Sequence, residues 1–200
     1  MNVLAAYAEW SHTYDDDRNS TRDLDGEVTR RTFAGKRYKT ILEIGCGTGK
    51  NTSLFARIAD GVQAIDFSAE MIERARRRLS SGNITFTVAD IARHWPVDDS
   101  SINLISCNLV LEHIQHLPFI FAEAARVLVR GGQFFISELH PFRQYSGTRA
   151  SFQRNQETHI IIDAFVPTSP ISSTRRSTTI CDWKPSKSGD TKRTRASLRG

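Results

Sequence analysis

Five residues set the chemical question. Glu43, Gly45, Gly47 and Gly49 alternate along LEIGCGTG at 42–49, and Asp66 ends the next apolar run. Alternating glycines let bare backbone approach a ligand and take positive φ where a turn needs it. Such a turn can hold a nucleoside triphosphate, a pyrophosphate or a nucleoside without phosphate. A triphosphate loop needs G-x-x-x-x-G-K-[ST]. Here Asn51 follows Gly49-Lys50, and Ile44 takes the place of the first glycine. With no hydroxyl for magnesium, an ATPase is disfavoured. A dinucleotide fingerprint needs G-x-G-x-x-G, whose third glycine lets a helix start press close to sheet and pyrophosphate. Lys50 stands there, which weakens the NAD(P) reading without removing it. Nothing in the loop is built for a pyrophosphate charge. An acid, Glu43, lies at its base instead, which suits an ammonium group. Asp66, at a strand end, suits a ribose diol, as carboxylates do in dinucleotide folds. The ligand expected is an adenosine with a cationic amino-acid part.

Four more side chains fall near expected strand ends or the N-terminal lead-in and could touch an acceptor or take its proton: Tyr14, Glu112, His113 and His140. Each has a plainer reading. Glu112 and His113 read equally as a helix-start pair that packs or caps. Tyr14 and Arg22 read as a lid or as exposed helix residues. Asp66 has the bland alternative of an ordinary strand-end carboxylate. Cys46 reads as a small residue in a tight loop, with no paired base. The run Arg74, Arg76, Arg77, Arg78 reads as a solvated helix face. No spacing of His, Cys, Asp or Glu suggests a metal. Neither N-P-P-Y nor Pro-Cys is present, which disfavours adenine-N6 and cytosine-C5 methylation of DNA.

These residues need a scaffold, and the periodicity supplies one. Short apolar strands are expected at Thr40–Ile44, Val62–Ile65, Ile84–Val88, Asn103–Cys107 and Gln133–Ser137. Between them, helices bury Leu54, Phe55 and Ile58, then Met71, Ile72, Ala75 and Leu79, then Ile120, Ala124, Val127 and Leu128. Ser68 can cap the second of these, and Pro118 suits the first turn of the third. Strands alternating with amphipathic helices imply a parallel sheet. The fold class expected is α/β, Rossmann-like, a central mostly parallel sheet flanked by helices. The first 35 residues read as one or two short helices.

The formal charge of +5 over 200 residues belongs to one end. Residues 166–200 carry eight Lys+Arg against two Asp+Glu, leaving 19 against 20 in the rest. The body therefore has no basic face of the kind nucleic acid needs. Three scattered cysteines, no apolar run of the ~20 residues that span a bilayer, and no basic n-region before an apolar stretch point to the cytoplasm. After about residue 166 the period is lost, and thirteen Ser+Thr crowd the stretch. Its composition suggests poor order, with Thr178–Trp183 able to pair as an edge strand.

The chain resembles the class I S-adenosylmethionine-dependent methyltransferases of the broad small-molecule type, the methyltransferase-11-like group. LEIGCGTG matches the first motif, AIDFSAEMIERAR at 64–76 the second segment, VADIARHWPVDDSSINLISCNLVLEHI at 88–114 the adenine-binding and post-strand-four segments, and RVLVRGGQFFISELHP at 126–141 the lead into strand five. AYAEWSHTYDDDRNSTRDLD resembles the lead-in of one subgroup, where it covers cofactor and substrate. The resemblance spans about residues 5–166. It implies that S-adenosyl-L-methionine is the cofactor and a small molecule the acceptor. Gly45, Cys46 and Gly47 would meet its amino-acid part by backbone, near Glu43. Asp66 would hold the ribose, Phe67 would lie along the adenine, Asp90 and Ile91 would bracket its edge, and Asn108 would stand beside the sulfonium. Asn103 and Arg130 depart from the usual pattern, away from the expected pocket. Residues 1–165 would form the methyltransferase domain, with 1–36 as a lid, and 166–200 a divergent basic tail. The family closes its sheet with a further helix and an antiparallel hairpin. The abrupt loss of resemblance after Val166 leaves two readings, a natural basic tail or a frame-shifted end that uncovers strand five. The rival functions are a cofactor-binding relic without turnover and an NAD(P)-dependent oxidoreductase.

Overall fold

The apolar runs pair side by side. The computed structural model of the protein describes residues 3–139, 150–153, 158–162, 164 and 178–182. In chain order its elements are α1 (Val3–Trp10), α2 (Ser20–Thr32), β1 (Tyr38–Ile44), α3 (Thr52–Ile58), β2 (Ala59–Asp66), α4 (Ala69–Arg78), β3 (Ile84–Val88), β4 (Ile102–Asn108), α5 (Leu117–Val127), β5 (Leu128–Ser137), β6 (Ser151–Gln153), β7 (His159–Ile161) and β8 (Thr178–Asp182). The main sheet runs β3-β2-β1-β4-β5-β8, the first five parallel. This is the Rossmann-like α/β layer expected.

Period-2 side-chain alternation builds a core on each face. Leu42, Ile105 and Phe134 face one cluster with Ile120, Ala124 and Val127 of α5. Their neighbours Ile41, Leu104 and Phe135 face the other, with Phe33 and Phe55. Burial on both faces explains why these strands read as unbroken apolar runs. Strand order reverses between β1 and β4, so the crevice beyond their carboxyl ends is where such sheets take ligands.

Several boundaries differ from the sequence reading, for local reasons. The helix after the glycine turn begins only at Thr52, because Gly49 at φ 82° still belongs to the turn. Ser68 does cap α4, its side chain accepting from Met71 N. Leu79 closes that helix as a half-buried C-cap instead of lying inside it. The arginine run is not merely a solvated face. Arg77 pairs with Glu73, but Arg74 is half-buried and donates to His12 O at 2.9 Å, and Arg76 donates to Phe86 O.

Two outcomes concern the C-terminal part. Strands β6 and β7 form a separate antiparallel pair that packs on α1 through Phe152 and Ile162 against Ala6 and Trp10. The Trp10 and Phe152 rings stack at 5.3 Å. The uncovered strand-five edge is not found: Thr178–Asp182 runs antiparallel along β5, from Ser137 opposite Thr178 to Gln133 opposite Asp182. The rest of the expected tail lies outside the described residues.

Candidate functional site

The turn after β1 is shaped by what its glycines touch. Gly45 N and Cys46 N both donate to Ile65 O, at 2.8 and 3.1 Å, tying the turn to β2. Gly45 has φ 71°, and a Cβ there would stand 2.2 Å from Val110 Cγ2. Its missing side chain makes room for the loop after β4. At Gly47, φ 53°, a Cβ would meet nothing within 4 Å, so that backbone is the part bared to the cleft.

The cleft, about 230 Å³, is lined by Glu43, Gly45, Cys46, Gly47, Asp66, Phe67, Asp90, Ile91 and Asn108. Every residue expected to meet the cofactor therefore lies on one surface, and Tyr14 and His113 reach it too. His140 lies outside the described residues. Asp66 is held by backbone: Oδ2 accepts from Gly47 N and Oδ1 from Ser68 N, each at 2.9 Å. Burial outweighs these amides and pushes its carboxyl up to about 6. Glu43 accepts from Thr52 Oγ1. Burial pushes it up to about 8, with Asp25 and Asp66 adding negative charge. Asp90 is exposed, its Oδ1 capping Ala92 N at 2.9 Å. Ile91 is buried and its carbonyl accepts from Trp95 Nε1, which fixes this segment against the core. Cys46 is buried, and the same burial raises its thiol well above the ordinary value. That agrees with a packed residue and not a nucleophile.

The other wall comes from the first two helices. Asp25 is buried, and its two oxygens accept from Asn51 Nδ2 at 3.1 Å and Asn108 Nδ2 at 2.7 Å. Asn108 also donates to Thr29 Oγ1 and accepts from Ser106. It faces the cleft, but its amide is committed to fastening α2 across the sheet end. Thr48 Oγ1 donates to Asp15 at 2.8 Å, and Lys50 pairs with Asp23. The Arg22 guanidinium lies 4.0 Å from the Tyr14 ring centre, and both side chains line the cleft.

Glu112 and His113 are in a 3₁₀ turn, Leu111–His113, and not at the start of α5. His113 Nε2 is 2.9 Å from Tyr7 Oη and 3.7 Å from Glu112. Burial raises the Tyr7 phenol well above its ordinary value. The turn hangs from β5: Glu138 Oε1 accepts from both Val110 N and Leu111 N at 2.8 Å. Burial pushes Glu138 up to about 8.

Sequence reasoning missed Asp25, Tyr7 and Glu138. Glu138 carried a signal, since it follows β5 at the same sheet end. Asp25 and Thr29 are four apart on one helix face, but nothing marks Asp25 among the neighbouring acids. Among the described residues no cluster suits a metal ion, and no helix is long and apolar enough to cross a membrane.

Comparisons with known proteins agree with this geometry. Residues 42–136 match the family model described as a methyltransferase domain. Malonyl-[acyl-carrier protein] O-methyltransferase of Xylella fastidiosa is 28% identical over 167 residues, 80% of this chain and 55% of its own length. Ubiquinone biosynthesis O-methyltransferase of Xanthomonas oryzae pv. oryzae is 31% identical over 119 residues, 58% of this chain and 48% of its own. The chain thus spans about half the length of these curated relatives. In fold, it is similar to an S-adenosylmethionine dependent methyltransferase from Mesorhizobium loti, with TM-score 0.56, 24% identity and coverage of 68% and 62%.

Proposed function

We propose that this chain, whose residues 42–136 match a methyltransferase domain, is a class I S-adenosylmethionine-dependent methyltransferase that binds S-adenosyl-L-methionine beyond β1 and β2 and methylates a small molecule. One observation carries the cofactor reading. Glu43, Asp66 and Asp25 are buried in one cleft, and none of them forms an ion pair among the described residues. Buried carboxylates without a counter-charge are costly. A ligand bearing both an ammonium and a sulfonium supplies that charge.

In this reading Asp66 takes the ribose hydroxyls, Phe67 and Ile91 flank the adenine, and Asp90 accepts from its amino group. Gly45, Cys46 and Gly47 meet the amino-acid part by backbone, near Glu43. Held there, the cofactor would supply a methyl group already activated by its sulfonium. The protein's task is then alignment and exclusion of water. Tyr7, Tyr14 and Leu109, which reach the cleft, close it from the lid side. His113, beside Glu112, takes the proton where the acceptor is a hydroxyl, and His140 is the second candidate. Residues 1–165 act as the catalytic domain, 1–36 as its lid, and β8 completes the sheet from the basic tail. The near-neutral body fits a small acceptor and no nucleic acid. The free buried thiols Cys46 and Cys107 fit a reducing cytoplasm.

Calorimetric titration of S-adenosylmethionine tests this, with Asp66→Ala and NADH as comparisons. The expected result is binding by the parent, loss in the variant and no response to NADH. A folded protein that ignores S-adenosylmethionine overturns the proposal.

A further inference from the structure

A second cavity, about 110 Å³, lies behind the cofactor cleft and is lined by Tyr7, Trp10, Tyr14, Arg22, Leu109 and Glu112 among others. Tyr7, Tyr14, Arg22 and Leu109 also line the first cleft, so these four form the partition between the two.

Arg22 sets the polarity of that space. Its terminal nitrogens donate to main-chain carbonyls, Nη1 to Tyr14 O and Nη2 to Asp17 O at 2.7 Å. Neither meets a carboxylate among the described residues. Its Nε–H is the buried side-chain polar atom that lacks any hydrogen-bond partner among the described residues. A buried donor left unmade is costly, and a charged one more so. The guanidinium also lies over two rings, 4.0 Å from the Tyr14 centre and 5.5 Å from Trp10. Aromatic faces attract cations, but here the protein's own cation already holds them. A cationic acceptor would meet occupied rings and a like charge. An anionic oxygen at the cavity would balance the guanidinium charge. Glu112 also lines the cavity, within 3.7 Å of His113, which is bonded to Tyr7, so side chains able to take a proton sit together there.

We propose that this cavity is the acceptor site and that it selects a small acceptor bearing a carboxylate, anchored by Arg22. This rests on the methyltransferase reading, and the test separates the two. S-Adenosylhomocysteine is first titrated alone; failure there sinks the cofactor reading itself. With the cleft saturated, 4-hydroxybenzoate, 4-hydroxybenzamide and tyramine are then titrated as a matched acid, neutral and cation set. The acid should bind about tenfold or more tighter than the amide, the range of a charge-assisted bond, and tyramine weakest. In Arg22→Gln the acid should lose that preference, and Arg22→Lys should restore part of it, with circular dichroism verifying the fold of each. Equal binding of acid and amide, preference for tyramine, a preference that survives Arg22→Gln, or no binding of the acid at millimolar concentration each overturn the carboxylate assignment while leaving cofactor binding intact.

Discussion

The two walls of the cleft are built by different means. The sheet-side wall is backbone: Gly45 N and Cys46 N on Ile65 O, Gly47 N and Ser68 N on Asp66. The lid-side wall is fastened by side chains reaching across long stretches of sequence: Asp25 to Asn51 and Asn108, Asp15 to Thr48, Asp23 to Lys50, His113 to Tyr7. Even the core differs, since α1 packs with the β6–β7 pair in a cluster of its own. A wall held by main-chain ladders resists change until it breaks. A wall held by single polar side chains can open in part, and elements with few buried apolar contacts open at low free-energy cost. On the proposed function, the first wall would recognise the cofactor and the second would enclose it.

The sharpest break falls on the sheet side. Gly45→Val should abolish cofactor binding and cost several kcal/mol of stability, because Cβ would stand 2.2 Å from Val110 Cγ2 at φ 71°. Thermal melts and calorimetry read both effects. Asp66→Asn should keep the fold yet weaken S-adenosylmethionine binding about 100-fold, as loss of a charge-assisted pair of bonds implies. On the lid side, Asp25→Ala should weaken binding by about tenfold, the value of one or two buried hydrogen bonds. It should also raise hydrogen exchange across α2 while leaving β1 and β2 protected. Equal loss of protection in sheet and lid would erase the distinction between the walls. Lys50→Ala removes an exposed pair with Asp23 and should change neither stability nor affinity measurably.

The acidic cleft sharpens the comparison through pH. Asp66 is raised to about 6 and Glu43 to about 8, above the ordinary carboxylate range near 4. Between those limits the folded protein keeps protons that the unfolded chain has released. These two groups therefore make the free protein less stable as pH rises from about 4 to about 8. Affinity for the cationic cofactor moves the opposite way, because it needs the ionised carboxylates. Melting temperatures with and without S-adenosylmethionine should thus diverge as pH rises; parallel curves would remove the acidic cleft from the account.

How much of this was legible follows the same division. Strands β1, β2, β4 and β5 announced themselves because burial on both faces leaves apolar runs, as in Ile41–Leu42 and Leu104–Ile105. The sheet-side residues were readable because a short glycine turn and a strand-end acid act at fixed spacing. The lid was not, because its bonds join residues dozens of positions apart in a polar stretch. Asp25 became special only through Asn51 and Asn108. The 3₁₀ turn carrying His113 was taken for a helix start, since three residues carry no periodicity. The sequence pointed to an edge strand at Thr178–Trp183, and β8 bears that out on the flank of β5.

Glu138 gives the loop after β4 a clock. One carboxyl oxygen gathers the amides of Val110 and Leu111, and Val110 is the residue lodged where Gly45 has no side chain. Those two amides belong to no strand ladder, yet they should surrender their hydrogens to solvent as slowly as strand amides do. Burial holds Glu138 up to about 8, so its ionised form is costlier in the closed loop than in the opened one, and the loop should loosen on the alkaline side while the acidic cleft beside it is charging. The same rise in pH that readies one end of the cleft for a cation should ease the hold on the other.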